Sequence, residues 1–309
     1  MIRVDLITGF LGSGKTTFIK KYAQYLLKSG KRLGILENDY GAVNVDMMLL
    51  QELEGDNCRL EAVAGACDAD CHRRRFKTKL IALGMSGYDR VLIEPSGIFD
   101  VDEFFDSLYE PPLDNWYEIG NVIAVVDASL ESELSDNSEY LLASQIANAG
   151  KIILSKSQFA SEEEIENTIF HLNCVMQKLG CERRFDKEIV RKPWNELTDA
   201  DFDDILNCGY VAENYVKSLT NHDGAYQSLY FMNTKLGADE IKRRVSRIFD
   251  DKACGNVFRV KGFINDDGWF ELNATRQNLT LAPIDKGQEI IIVIGEQLDK
   301  DRIEQIFND

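Results

Sequence analysis

The residues best placed to do chemistry come early, in Gly9-Phe-Leu-Gly12-Ser13-Gly14-Lys15-Thr16-Thr17. The run satisfies G-x-x-x-x-G-K-[ST], with an apolar strand pattern before it and an amphipathic helix pattern after it. Glycines Gly9, Gly12 and Gly14 let the backbone wrap closely, so that successive N–H groups, with those of Ser13 and Thr17, face phosphate oxygens at a helix N-terminus. In that arrangement Lys15 bridges β- and γ-phosphates and the Thr16 hydroxyl ligates Mg²⁺. A triphosphatase also needs an acid facing the metal from a neighbouring strand end. Arg90-Val-Leu-Ile-Glu94-Pro-Ser96-Gly97 provides Glu94, and Gly97 offers an N–H that could sense the γ-phosphate.

Asn38-Asp39-Tyr40-Gly41 follows another strand pattern and is read as a switch loop. Asp39 there would order a water or make an outer contact to the metal. An Asx-turn accounts for Asp39 equally well, and accounts better for Asp46. A built-in arginine finger is not identifiable, so slow, partner-stimulated turnover is expected.

The elements that must carry these residues alternate. Strands are predicted at Arg3–Thr8, Arg32–Glu37, Arg59–Val63, Arg90–Glu94, Val122–Asp127, Lys151–Ser155 and Arg184–Val190. Several are apolar throughout, the pattern of a parallel sheet covered on both faces. Helices are predicted at Lys15–Ser29, His72–Met85, Glu133–Ala149 and Glu162–Leu179. Phe18, Ile19, Tyr22, Ala23, Leu26 and Leu27 make one stripe on the first, and Gly30 stops it. Ser161 with Glu164 forms a capping box, and Thr198 has cap chemistry. The expected fold is α/β, a doubly wound, mostly parallel sheet of the P-loop NTPase kind, over residues 1–221. A smaller α+β domain follows over residues 222–309: strands near Ser228–Asn233, Val257–Asn265, Gly268–Ala274 and Glu289–Gly295, and helices Ala238–Phe249 and Lys300–Phe307. The turn Asn265–Gly268 marks a hairpin.

The 309 residues are 44% hydrophobic and 28% charged, which suits an ordinary globular core. A net charge of −17 argues against a nucleic-acid partner. No run of 18 apolar residues occurs, so no membrane span is expected, and MIRVDLITGF lacks a signal peptide's apolar region. The 7 cysteines are read as reduced thiols in a cytoplasmic protein.

Together these motifs resemble the CobW-type proteins, which belong with the hydrogenase and urease nickel-insertion GTPases. Gly9–Thr17 is similar to that family's GFLGSGKTT letter for letter, Asn38–Gly41 to its Asn-Glu-Phe-Gly, and Glu94–Gly97 to its Glu-x-Ser-Gly. Asp127-Ala128, Gln145-Ile146-Ala147, and the stretch from Val257 to Gly295 extend the likeness over nearly the whole chain. The resemblance implies a GTPase that delivers zinc, cobalt or a similar ion to a client metalloprotein or cofactor pathway.

Two departures stand out. In place of the family's Asn-Lys-x-Asp, this chain has Ser155-Lys156-Ser157-Gln158. Lys156, whose stem packs on the base in the family, is retained, but the Gln158 amide offers one acceptor and one donor, which mate as well with adenine as with guanine. The family's Gly-Cys-x-Cys-Cys becomes Gly65-Ala66-Cys67-Asp68-Ala69-Asp70-Cys71-His72. Cys67 and Cys71, at i and i+4, with His72 beside them, could grip one soft or borderline cation, with Asp68, Asp70, Glu61 and Cys58 as further ligands. Two buried thiols opening a helix fit the same residues. The basic run Arg73-Arg74-Arg75 is a solvated face that could dock an acidic client. The expectation is a Mg²⁺-dependent GTPase metallochaperone in which γ-phosphate, through the loop at Asp39, alters the geometry at Cys67 and Cys71. The alternatives are an ATP-preferring P-loop NTPase and a nucleotide-gated regulatory module without metal cargo.

Overall fold

The structure, a computed structural model, describes residues 1–38, 46–63, 69–97, 101–131, 134–212, 226–232, 234–276, 278–285, 287 and 289–309; of residues 46, 69–70, 102–103 and 226 only the backbone is described. The chain divides into two compact units, Met1–Ser218 and Leu219–Asp309. The expected division at 221/222 falls outside the described residues.

The first unit is a seven-stranded sheet. Its strands are β1 (Ile2–Thr8), β2 (Leu33–Asn38), β3 (Cys58–Val63), β4 (Arg90–Pro95), β5 (Tyr117–Asp127), β6 (Lys151–Ser155) and β7 (Ile189–Val190). They lie in the order β3-β2-β4-β1-β5-β6-β7, each pair parallel. Helices cover both faces. On one, Ile7, Ile35, Leu92, Ile123 and Ile153 pack with Phe18, Tyr22 and Leu26 of α1 (Lys15–Lys28) and Phe202 of α7 (Asp199–Leu206). On the other, Leu6, Leu36, Ile93, Val126 and Leu154 meet α3 (Ala69–Met85), α4 (Val101–Leu108), α5 (Asp136–Ala147) and α6 (Glu162–Lys178). A short α2 (Asp46–Leu50) precedes β3. Alternate residues of each strand thus serve opposite cores, which is why the strands read as unbroken apolar runs.

Local signals act as written. Gly30, at φ 80°, donates its N–H to Leu27 O at 3.0 Å and ends α1. Ser161 and Glu164 form a reciprocal capping box, as do Thr198 and Asp201. One strand is corrected: of Arg184–Val190 only Ile189–Val190 pair. The earlier backbone is taken up elsewhere, since Phe185 N donates to Asn173 Oδ1 at 2.8 Å. Helix α4 was not anticipated, because it covers only 8 residues.

The second unit has β8 (Tyr226–Met232), α8 (Ala238–Asp250), β9 (Asn256–Asn265), β10 (Trp269–Ala274), β11 (Leu279–Ile284), β12 (Ile290–Glu296) and α9 (Lys300–Asn308). Its antiparallel sheet runs β11-β10-β9-β12-β8. Val245, Ile248, Ile303 and Phe307 of the helices pack on Val260, Ile264, Ile291 and Val293. The hairpin at Asn265–Trp269 is as expected, with Asp267 and Gly268 at positive φ. Strand β11 was missed because it carries Pro283, which an edge strand tolerates.

Candidate functional site

The phosphate loop joins the carboxyl end of β1 to α1, where parallel sheets place their ligands. Gly9, Gly12 and Gly14 take φ values of 144°, 74° and 94°. A Cβ on Gly9 would stand 2.2 Å from Val125 O, so the loop lies against β5 at a distance only glycine permits. Lys15 is folded back over the loop, its ammonium donating to Gly9 O at 2.9 Å and Phe10 O at 3.4 Å. Ser13 is buried, and its hydroxyl has no hydrogen-bond partner among the described residues. Thr17, the third residue of α1, is exposed.

Thr16 Oγ1 donates to Glu94 Oε1 at 2.9 Å, in a buried contact spanning 78 residues of sequence. Beside it stands a residue that the sequence reading took only as a strand end. Glu37 of β2 is in register with Glu94 of β4, so in a parallel pair both side chains leave the same face. The two are 3% and 5% exposed. Two buried carboxylates and a buried hydroxyl next to the phosphate loop form a hard-oxygen donor set. That chemistry fits Mg²⁺, which takes one or two carboxylates and fills its other positions with water and phosphate oxygens. The signal for Glu37 was present in the sequence as a charge at the end of an otherwise apolar strand.

Gly97 presses on the phosphate loop: a Cβ there would lie 2.7 Å from Leu11 N. It is held by Gln145 of α5, whose Nε2 donates to Gly97 O at 2.9 Å, with the Gln145 side chain fully buried. Ser96 N donates to Asn38 O at 2.7 Å, joining this turn to the end of β2. Asn38 in turn meets His72 of α3, with Oδ1 2.7 Å from His72 Nε2 and His72 only 3% exposed. The end of β2, the Glu94–Gly97 turn and the first turn of α3 are therefore bonded to one another. Asp39 and Cys67 lie outside the described residues, as do Asp68 and the side chains of Asp46 and Asp70.

Cys71 is half-buried at the start of α3, next to His72. Among the described residues no group of three His, Cys, Asp or Glu side chains is gathered to hold a metal. Cys58 begins β3 while Val63, paired with Asn38, ends it; five residues at about 3.3 Å each put the thiol roughly 16 Å from the site. Burial pushes that thiol up to about 11. Burial also acts to raise the Glu61 carboxyl, yet hydrogen bonds from Lys79 and Arg59 hold it below the usual range, so it is already an ion-pair partner. Arg73 of the basic run faces Glu110 at 3.6 Å.

At the far side of the loop, Lys156 has φ 57° and its ammonium pairs with Asp127 Oδ2 at 2.5 Å. Asp127 Oδ1 also accepts from Ser129 N and Oγ, at 3.0 Å each. Asp127, quoted above only as part of a motif, thus orients Lys156. Gln158 is exposed, whereas Ser157 is 7% exposed and its hydroxyl has no hydrogen-bond partner among the described residues.

Residues 3–179 match the model for the CobW/HypB/UreG nucleotide-binding domain. The chain belongs to the CobW/HypB/UreG family. Residues 235–309 match the cobalamin synthesis protein cobW C-terminal domain, so both units have counterparts in the family. Among family relatives, the zinc chaperone YeiR of Escherichia coli is 30% identical over 164 residues, 53% of this chain and 49% of that protein. The zinc chaperone YjiA of the same organism is 29% identical over 171 residues, 53% of this chain and 52% of its own. The zinc-regulated GTPase metalloprotein activator 1 of Schizosaccharomyces pombe is 25% identical over 184 residues, 56% and 44% of the two chains. The chain spans about half the length of the curated relatives it matches.

Proposed function

We propose that this family member binds and hydrolyses GTP with Mg²⁺ and uses the cycle to hand a transition metal, zinc first among them, to a client protein or cofactor pathway. The observation that carries the nucleotide half is the buried bond from Thr16 to Glu94, with Glu37 alongside, at the mouth of the phosphate loop. Thr16, Glu94 and Glu37 would hold the magnesium, which when bound neutralises charge on the phosphate oxygens. Lys15 leaves the carbonyls of Gly9 and Phe10 for the β- and γ-phosphates, where its charge is worth more. Gly97, set against Leu11, brings its own N–H to the γ-phosphate edge of the loop. Asp39 is assigned the attacking water, and Lys156 with Gln158 the base.

The metal half is supported by the relatives, two of which are zinc chaperones, and by the bond between His72 and Asn38. That bond ties the helix bearing Cys71 to the strand that ends at Asn38, the residue before Asp39 in the sequence. Cys67, Cys71 and His72 are the proposed cargo ligands. An Nε2–H donated to Asn38 would leave Nδ1 as the metal-facing nitrogen, the usual division of labour in a metal-binding histidine. Zinc titrated into protein loaded with GTP and with GDP tests the cycle. Affinities that differ between the two states are expected, and equal affinities would end the chaperone reading.

One observation favours a second nucleotide: the Gln158 amide, lying exposed, pairs as readily with adenine as with guanine. Competition between ATP and GTP for one site decides, with GTP expected to win and parity removing the guanine assignment.

A further inference from the structure

Trp194 sits in the segment between β7 and α7, outside every motif discussed above. The segment is pinned: Glu196 N donates to Pro193 O at 2.9 Å, and Lys192 Nζ reaches Asp201 Oδ2 at 2.7 Å. The indole N–H donates to Leu154 O at 2.9 Å, one residue from the end of β6. The ring meets Phe18 of α1 edge-on, centroids 5.7 Å apart at 62°. Its six-membered edge lies against the phosphate loop, because a Cβ built on Gly14 would stand 3.2 Å from Trp194 Cη2 and 3.7 Å from Ser155 Cβ. The short Ser155 side chain turns its hydroxyl to Val126 O at 3.4 Å and leaves this space to the indole.

We propose that Trp194 is a positioning residue for the polyphosphate, a rigid wedge that holds Gly14 in its left-handed conformation from outside the loop. The physical need is plain. Three glycines at positive φ give the loop more conformations than any other residues would, and each must be restrained before the amides at the head of α1 converge on phosphate. An indole has only two rotatable bonds, and here one end is hydrogen-bonded to the sheet while the ring rests on Phe18 and Gly14. On this reading the wedge acts on phosphate and not on the base. The proposal rests on the nucleotide reading above.

Calorimetric titration of GTP and of inorganic triphosphate, which has no base, into wild type, Trp194→Ala and Trp194→Phe tests it. Trp194→Ala should weaken both ligands by the same factor, roughly tenfold or more. Trp194→Phe keeps a ring on Gly14 and should restore most of the loss. A loss confined to GTP would mean that the indole contacts the base, and unchanged affinity for both ligands would mean that it restrains nothing; either overturns the proposal. Should Trp194→Ala not fold, the emission of Trp194 alone decides, in a chain whose other two tryptophans, Trp116 and Trp269, are Phe. Triphosphate should shift that emission, and a flat titration of a binding-competent protein sinks the wedge. Wild type that retains neither ligand would instead sink the nucleotide reading and the wedge with it.

Discussion

Thr16, Glu94 and Glu37 are small in number but are placed where charge matters most, since all three are buried at the mouth of one loop. Replacing Lys15 with Ala should abolish nucleotide retention by the purified protein, because nothing else described reaches over the loop from α1 with a positive charge. Undiminished binding would show that the active centre lies elsewhere. Glu94→Gln and Glu37→Gln test the metal separately. Each should lower the Mg²⁺ dependence of GTP binding by ~10–100-fold while leaving GDP binding in chelator unchanged. A loss of equal size with and without Mg²⁺ would point to folding and not to the cation.

Between elements, coupling runs through few bonds. The turn at Gly97 is held on one side by Gln145 of α5 and approaches Leu11 on the other. Gly97→Ala puts a methyl group against main chain that has nowhere to retreat. A destabilisation of about 1–3 kcal/mol is expected in denaturant titrations, together with weaker nucleotide binding. The bond from Asn38 to His72 links strand end to helix start. Asn38→Ala removes that link and the hydrogen bond that orients His72, so zinc affinity should fall by about 10–100-fold in both nucleotide states. The difference in zinc affinity between the GTP and GDP states, about 1–3 kcal/mol for ordinary allosteric coupling, should collapse. If the difference persists in Asn38→Ala, the coupling runs by another route.

For the molecule as a whole, the end of the sheet away from the site is secured by a buried charge network. Asp5, fully buried, accepts from Tyr22 Oη at 2.9 Å and from Asn121 N at 2.9 Å, and is paired with Arg90. Arg90→Met would leave that carboxylate uncompensated and should destabilise the fold by about 3–5 kcal/mol in urea melts. An effect under about 1 kcal/mol would place the pair with the weak surface bridges. Two thiols set an alkaline limit. Burial, with some help from nearby carboxylates, pushes Cys58 up to about 11 and Cys208 up to about 12. Their folded values lie above the unfolded thiol value of about 8.5, so the stability they contribute is whole below that pH. It drains away as pH rises towards 11 and 12, because only the unfolded chain then gains by losing the protons. Thermal melts should fall between pH 9 and 11, and Cys58→Ala should flatten part of that slope.

Local order was legible in the residues themselves. Gly9 to Thr17, the stripe on α1, the capping boxes at Ser161 and Thr198 and the unbroken apolar strands each depend on neighbours within a few positions, which is the range over which spacing carries information. The partnership of Glu37 with Glu94 depends on β2 lying beside β4, a strand order that no run of residues encodes. The grip of Gln145 on Gly97, the bond of His72 to Asn38 and the wedge of Trp194 on Gly14 likewise join residues 34 to 180 positions apart. Sequence determined which groups could do chemistry. Only packing decided which of them meet, because contact across a sheet is set by the burial of whole faces and not by any pair's own affinity.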